Sequence, residues 1–106
     1  MRLFALPIAF AVLLLSTPPA AAAPRTHVVV IDKMKFGAPP AQLRAGDRVV
    51  WVNKDMFRHT ATSRAGGFDL DLLAGAKAMA IIKKKGTLAV TCRYHPGMRM
   101  TLQVMQ

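Results

Sequence analysis

The chain has 106 residues and one cysteine, with 15 Lys and Arg residues against 5 acidic ones and a formal net charge of +10 at pH 7. This length leaves room for one small domain and excludes a multidomain enzyme. The lone cysteine excludes an internal disulfide, so a domain of this size depends on its core, a metal or a partner for stability.

The first 22 residues have the pattern of an export signal. Met1 and Arg2 form a short basic start, residues 3–15 are apolar, and small residues follow, with Ala20 and Ala22 forming an Ala-x-Ala cleavage pattern. The apolar run is too short to span a bilayer. Once it has been cleaved off, no stable membrane insertion is expected. We expect residues 1–22 to be a cleavable signal peptide and residues 23–106 to form a single exported domain, in the periplasm or its equivalent.

Beyond the leader, short β-branched or alternating segments separated by Gly, Pro, Asn and Asp predict strands. In chain order they are residues 26–31, 34–36, 42–43, 48–52, 59–63, 77–83, 87–92 and 101–105. Residues 69–74 are compatible with a short helix, although apolar residues and aspartates alternate over residues 68–72. No 3.6-residue periodicity persists, so the pattern predicts an all-β Greek-key sandwich of about seven to eight short strands.

Positive charge is spread over the domain apart from the run Lys83, Lys84 and Lys85, and loss of Arg2 with the leader lowers the net charge by one. Acidic partners are implied. Nucleic acid is not expected as a partner, because no stripe of interleaved aromatic and basic residues offers a stacking surface. Solvated strand faces that keep the protein soluble account for most of the charge.

Metal-ligating residue types concentrate in two predicted loops. Cys92, His95 and Met98 fall within seven residues after a strand, with Met100 two residues further, and His59 opens another strand about 33 residues before Cys92. The ends of two such strands can meet at one pole of a Greek-key sandwich. Two histidines, one cysteine and a weak axial methionine are the ligand set of a blue-copper electron-transfer site. Such a site leaves no coordination position open for substrate, which favours electron transfer over catalysis.

Other chemistries for the same residues are open at this point. A cysteine nucleophile with a histidine base lacks a recognisable oxyanion arrangement. A structural zinc site could use Cys92, His59 and His95, but the nearby thioether favours copper. An exported copper carrier or storage protein would use the same ligands without a redox role. Each residue taken singly could also be an ordinary core or surface side chain.

Three segments together resemble the cupredoxin family of blue copper proteins, and within it the amicyanin group, which has a short ligand loop. They are residues 45–55 (AGDRVVWVNKD), residues 59–62 (HTAT) and residues 92–98 (CRYHPGM). The resemblance covers nearly all of residues 23–106. It implies a cupredoxin-like sandwich, one copper ion cycling between Cu(I) and Cu(II), and shuttling of single electrons between larger redox proteins.

By this resemblance, His59, Cys92 and His95 are the three strong ligands and Met98 is the weak axial one. Met100 is the alternative axial ligand, at the longer spacing from the cysteine that plastocyanin and pseudoazurin have. Asn53 is implied as a residue outside the ligand set that hydrogen-bonds across to the backbone near the copper cysteine and ties the two loops together.

The resemblance also implies that His95 is the electron port, surrounded by an apolar patch for which Met56, Phe57, Pro96 and Gly97 are the candidates. Small, weak interfaces suit such exchange, and a monomer is expected.

Three further expectations concern charged and titratable residues. Arg93 and Tyr94 occupy loop positions where amicyanins have smaller or cyclic residues, and a basic side chain beside the thiolate should favour Cu(I) and raise the reduction potential. The net charge implies acidic redox donors and acceptors and a salt-sensitive association. His27 has no partner pattern and is expected at a strand edge.

Overall fold

The domain is a sandwich of two β-sheets, seen in a computed structural model that describes residues 2–16 and 23–106. Nine strands follow one another in the described part of the chain: β1 (Thr26–Asp32), β2 (Lys35–Phe36), β3 (Leu43–Arg44), β4 (Arg48–Asn53), β5 (His59–Ser63), β6 (Phe68–Leu72), β7 (Lys77–Ile81), β8 (Gly86–Thr91) and β9 (Arg99–Met105). One sheet has the order β2-β1-β4-β7 and the other β3-β9-β8-β5-β6. The predicted all-β class and sandwich are confirmed.

Long-range pairing closes the sandwich. Strands β1 and β4 are parallel, as are β3 and β9, whereas the remaining pairs are antiparallel. Alternate residues of β4 point inward, so Val49 and Trp51 are fully buried while Arg48 is exposed. The Trp51 ring packs against Phe36 of one sheet and Phe68 of the other, with ring centroids 5.8 and 6.1 Å apart. Aromatic packing therefore joins the two sheets through the core.

The structure differs from the sequence prediction at residues 69–74, where a short helix was considered. Residues Phe68–Leu72 form strand β6, which pairs with β5 from Ser63 opposite Phe68 to His59 opposite Leu72. The segment is a strand because its alternating pattern lets the apolar residues face the core and the aspartates face solvent. The described residues contain nine strands rather than seven to eight, because β6 adds a strand to the eight predicted segments.

Residues 1–22, the predicted signal peptide, are described in part. Residues 2–16 have no regular secondary structure and their apolar side chains are exposed. The predicted cleavage pattern at Ala20 and Ala22 lies outside the described residues. Across residues 2–16 and 23–106, no helix has the length and apolar character needed to cross a membrane.

A buried carboxylate organises the end of the sandwich where β4 begins. Asp47 accepts hydrogen bonds from the backbone N–H of Arg25 at 3.0 Å and of Arg44 at 3.0 Å. Its Oδ2 also lies 2.8 Å from Nε2 of His27. His27 lies in the part of β1 that pairs only with β4, which is a local strand edge as predicted, but Asp47 is a partner that the sequence pattern did not indicate.

Candidate metal centre

The candidate ligands come together at the other end of the sandwich. His59 is the first residue of β5, and Cys92 directly follows the last residue of β8. These two strands are neighbours in one sheet, with Thr62 opposite Thr91. His95 and Met98 lie in the loop from β8 to β9. The antiparallel pairing therefore places the start of β5 and the end of β8 at the same sheet edge, as the sequence spacing predicted.

The three strong candidate ligands form a compact triangle. Sγ of Cys92 lies 3.8 Å from Nδ1 of His59 and 3.7 Å from Nδ1 of His95, and the two Nδ1 atoms are 3.2 Å apart. Bond lengths of about 2.3 Å to sulfur and about 2.0 Å to nitrogen, at angles of about 120°, correspond to edges of roughly 3.7 and 3.5 Å. The triangle has the size that one transition-metal ion needs.

Cys92 is held as a good metal donor. Burial alone would raise the pKa of its thiol, but the backbone N–H of Thr60, 3.4 Å from Sγ, and the imidazoles of His95 and His59 outweigh it and lower the pKa from 9.0 to about 6. At neutral pH the thiolate, which is the form that binds metals, therefore predominates. The Cys92 side chain is buried, so the thiolate is screened from solvent.

A carboxylate fixes the other side of the His59 ring. Oδ2 of Asp55 lies 2.9 Å from Nε2 of His59, which is fully buried. An ionised carboxylate only accepts hydrogen bonds, so Nε2 is the protonated nitrogen and Nδ1 keeps its lone pair for a metal. The hydrogen bond from His59, followed by the backbone N–H of Met34, holds the pKa of Asp55 below its usual value despite partial desolvation.

Met98 and Met100 occupy different environments. Met98 is 5% exposed and lies in the ligand loop, where its N–H donates to the carbonyl of His95 at 2.9 Å and its carbonyl accepts from the N–H of Cys92 at 3.2 Å. Met100 is half-buried within β9 and pairs with Val90 of β8. The backbone of Met98, and not that of Met100, is thus tied to two of the candidate ligands.

Asn53 does not make the cross-loop bond implied by the family resemblance. Its side-chain amide donates to the carbonyls of Phe57 at 2.8 Å and Leu72 at 3.0 Å, and its Oδ1 accepts from the N–H of Asp55 at 2.9 Å. These contacts brace the β4–β5 loop against the end of β6. The expected hydrogen bond between Asn53 and the backbone near Cys92 is therefore wrong. The fully buried side chain of Asn53 points instead to the β4–β5 loop and to β6.

Thr60 makes the tie between the two ligand loops instead. Its hydroxyl oxygen accepts a hydrogen bond from the N–H of Arg93 at 2.9 Å, and its own N–H faces the Cys92 sulfur. Sequence reasoning missed Thr60 and Asp55 as site residues. The available signal was position alone, since Thr60 directly follows His59 and Asp55 precedes it by four residues.

The surface near His95 has exposed apolar residues and an ion-pair network. The His95 ring is half-buried and meets Phe57 edge to face with centroids 6.5 Å apart. Met56 precedes Phe57, and Pro96 and Gly97 follow His95, and all three are exposed. The Arg58 guanidinium stacks over the Tyr94 ring at 5.2 Å from its centroid.

The arginines of this surface are paired with aspartates of strand β6. Arg58 forms an ion pair with Asp71. Nε of Arg93 lies 3.4 Å from Oδ1 of Asp69. The Arg93 guanidinium also stacks over the Tyr94 ring, 5.9 Å from its centroid. The basic side chain expected beside the thiolate is therefore held against a carboxylate, which offsets part of its charge.

Comparison with curated proteins finds amicyanins. The chain is 34% identical to amicyanin of Paracoccus versutus over 93 residues, covering 79% of this chain and 70% of that protein. It is 31% identical to amicyanin of Paracoccus denitrificans over 91 residues, covering 78% and 70%. No protein-family model matches the chain.

Solved structures give the same assignment. A Cu(I) form of an amicyanin variant superposes with a TM-score of 0.65 at 27% identity, covering 81% of this chain and 88% of that one. A purple cupredoxin from Nitrosopumilus maritimus shares the fold, with a TM-score of 0.65 at 18% identity, covering 74% and 99%. Together with the identity to the amicyanins and the His–Cys–His cluster, these matches show that the chain belongs to the cupredoxin family of blue copper proteins and binds one copper ion.

Proposed function

We propose that the protein is an exported one-electron carrier whose copper is held by His59, Cys92 and His95, with Met98 as a weak axial ligand. The observation that carries this proposal is the triangle of one sulfur and two nitrogen atoms with edges of 3.2 to 3.8 Å. The ion would supply the redox change between Cu(I) and Cu(II). Electron carriage fits a ligand set made entirely of protein side chains better than catalysis does.

Residues around the ligands hold them in the form and position that copper binding requires. The low pKa of Cys92 supplies a thiolate without a strong base, and the Asp55 contact leaves Nδ1 of His59 free to coordinate. Hydrogen bonds through Thr60 hold the two ligand loops in one arrangement. A site held in this way changes oxidation state with little rearrangement, which favours rapid outer-sphere transfer.

Met98 is the proposed axial ligand because it is buried and its backbone is bonded to both Cys92 and His95. Met100 is committed to strand pairing and packs against the core from β9. A thioether is a soft donor that suits Cu(I) and is the usual weak axial ligand of blue-copper sites. This donor set also favours copper over a structural zinc ion.

His95 is the proposed electron port. Its half-buried ring contacts Phe57, which is 50% exposed, and the neighbouring Met56 is 78% exposed. An apolar surface of this kind suits a small, weak and short-lived interface with a redox partner. We propose acidic donors and acceptors, a monomeric carrier, and removal of residues 1–22 on export.

The test is redox cycling of the exported, copper-loaded protein in the presence of a Cu(I)-selective chelator such as bicinchoninic acid. The proposal predicts uptake of one electron per copper from ascorbate, return of that electron to hexacyanoferrate(III), and retention of the copper throughout. Transfer of copper to the chelator on reduction would overturn the electron-carrier function and favour a copper carrier or storage protein instead.

A further inference from the structure

Asp55 links three separate parts of the metal-site end. Its Oδ2 accepts a hydrogen bond from the N–H of Met34 at 2.9 Å and lies 2.9 Å from Nε2 of His59. Its Oδ1 accepts from the N–H of Met56 at 2.9 Å. The side chain is only 9% exposed. The carboxylate is therefore fixed by its neighbours and has little freedom to turn away from His59.

The hydrogen bond from Met34 makes the position of the Asp55 carboxylate more rigid. Lys33 and Met34 form the two-residue turn between β1 and β2, and both have positive φ, 50° and 61°. Non-glycine residues in this region of φ are strained and persist where neighbouring groups hold them. Asp55 holds Met34, while Asp32 accepts from the N–H of Lys33. The turn in return helps to fix the Asp55 carboxylate, because the N–H of Met34 bonds the same Oδ2 atom that contacts His59.

The charge of Asp55 lies one imidazole ring away from the proposed copper. Because water is largely excluded around the fully buried His59, this charge is weakly screened. A fixed negative charge at this distance stabilises Cu(II) more than Cu(I), and a carboxylate bonded to the distal nitrogen makes an imidazole a stronger donor. Both effects act in the same direction on the reduction potential.

We propose that Asp55 is the positioning residue for His59 and that its carboxylate lowers the reduction potential of the copper centre. This inference rests on the proposed function, since it assigns a tuning role at the same site. It opposes the effect expected from Arg93, whose charge is partly offset by Asp69. The reduction potential of the centre would thus depend on two opposing charges. Asp55, hydrogen-bonded to His59, lowers it, and Arg93, paired with Asp69 at the surface, raises it.

The chain offers a matched control in the pair Asp47 and His27. That pair has the same chemistry, with Oδ2 2.8 Å from Nε2 and both side chains largely buried. It lies before the first residue of β4, whereas Asp55 follows the last one, and six residues of strand separate the ends by about 20 Å. Removing either carboxylate should destabilise the fold, but only the Asp55 change should act on the metal.

The experiment is a redox titration of the copper-loaded wild type, Asp55→Asn, Asp55→Glu and Asp47→Asn proteins. Loss of an outer-sphere partner typically weakens metal affinity 10-fold or more. If Asp55→Asn weakens Cu(II) binding about tenfold relative to Cu(I), the potential rises by about 59 mV. Asp55→Glu keeps the charge and should recover part of the shift, and Asp47→Asn should leave the potential unchanged. An unchanged potential in a blue Asp55→Asn protein would overturn the inference and leave the proposed function intact.

A copper-free measurement separates this inference from the proposed function. Nitrogen-15 NMR of the metal-free protein reports which nitrogen of His59 carries the proton. We expect Nε2 to be protonated in the wild type and in Asp55→Glu, and a mixture of tautomers in Asp55→Ala. A His59 tautomer that is the same in Asp55→Ala as in the wild type would contradict the positioning role, whether or not the wild type forms a blue copper site.

Discussion

Met98 and Met100 are two residues apart, yet we expect loss of the thioether to have different consequences at the two positions. Leucine conserves volume, so Met98→Leu and Met100→Leu should each cost less than about 1.5 kcal/mol of stability. Only Met98→Leu should alter the visible spectrum and the reduction potential, because the axial ligand tunes a blue-copper centre. Spectra and redox titrations of both variants check this. A spectral change confined to Met100→Leu would reverse the axial assignment.

The candidate ligands were predictable from the sequence because their residue types and spacing are unusual together. A thiol, two imidazoles and a thioether within two short loops have few other combined uses. Asp55 and Thr60 were not predictable, because a polar residue in a loop or a short strand carries no sign of where its side chain points. Asn53 shows the same limit, since the resemblance implied a hydrogen bond near Cys92 and its amide instead donates to the carbonyls of Phe57 and Leu72.

At the scale of elements, Asp47 joins the start of β1, the β3–β4 turn and His27 through one buried carboxylate. The N–H of Arg25 is the main cause that lowers the pKa of Asp47 from 3.8 to about 2, against the opposing effect of burial. Because the folded-state pKa is lower than the unfolded one, this carboxylate stabilises the fold above about pH 4. That stabilisation is lost as the pH falls towards 2.

Asp47→Asn should therefore lower the free energy of unfolding by about 1–3 kcal/mol near neutral pH, since buried donors lose a charged acceptor. The difference from the wild type should shrink between pH 4 and pH 2, because the wild-type carboxylate becomes protonated in that range. Urea denaturation of the copper-free proteins at several pH values measures both effects. A stability difference that stays constant down to pH 2 would contradict this role.

The strands themselves were largely predictable, and their partners were not. Residues 59–63 form β5 with the predicted bounds, because Thr-rich β-branched segments favour extended backbone. The parallel pairing of β1 with β4 and of β3 with β9 depends on contacts distant in sequence, which local patterns do not encode. The helix considered at residues 69–74 failed because pairing with β5 satisfies the alternating pattern over Phe68–Leu72.

For the whole molecule, the distribution of charge matters more than its total of +10. Lys77 lies opposite Val52 and Ile81 lies opposite Arg48, so β7 runs away from the metal-site end. The exposed run Lys83–Lys85 follows β7 and is therefore at the far end from His95. Lys54 and Lys77 lie at the metal-site end and are also exposed. The lysines nearest the copper, and not the most conspicuous run, should steer redox partners.

Oxidation of the Cu(I) protein by hexacyanoferrate(III) tests this steering with a small anion. The rate should fall as ionic strength rises from 0.01 to 0.15 M, because the Debye length shortens from about 30 to about 8 Å. Lys54→Gln with Lys77→Gln should slow the reaction at low salt more than Lys83→Gln with Lys84→Gln, although both pairs remove two charges. Equal effects of the two pairs would show that net charge alone controls association.

The visible absorption spectrum of the purified protein after addition of Cu(II) tests the central claim most directly. The account predicts an intense blue thiolate-to-copper band that bleaches with ascorbate, returns on reoxidation and is absent from Cys92→Ser. A colourless or pale protein that holds copper without a thiolate band would contradict a redox centre built on His59, Cys92 and His95.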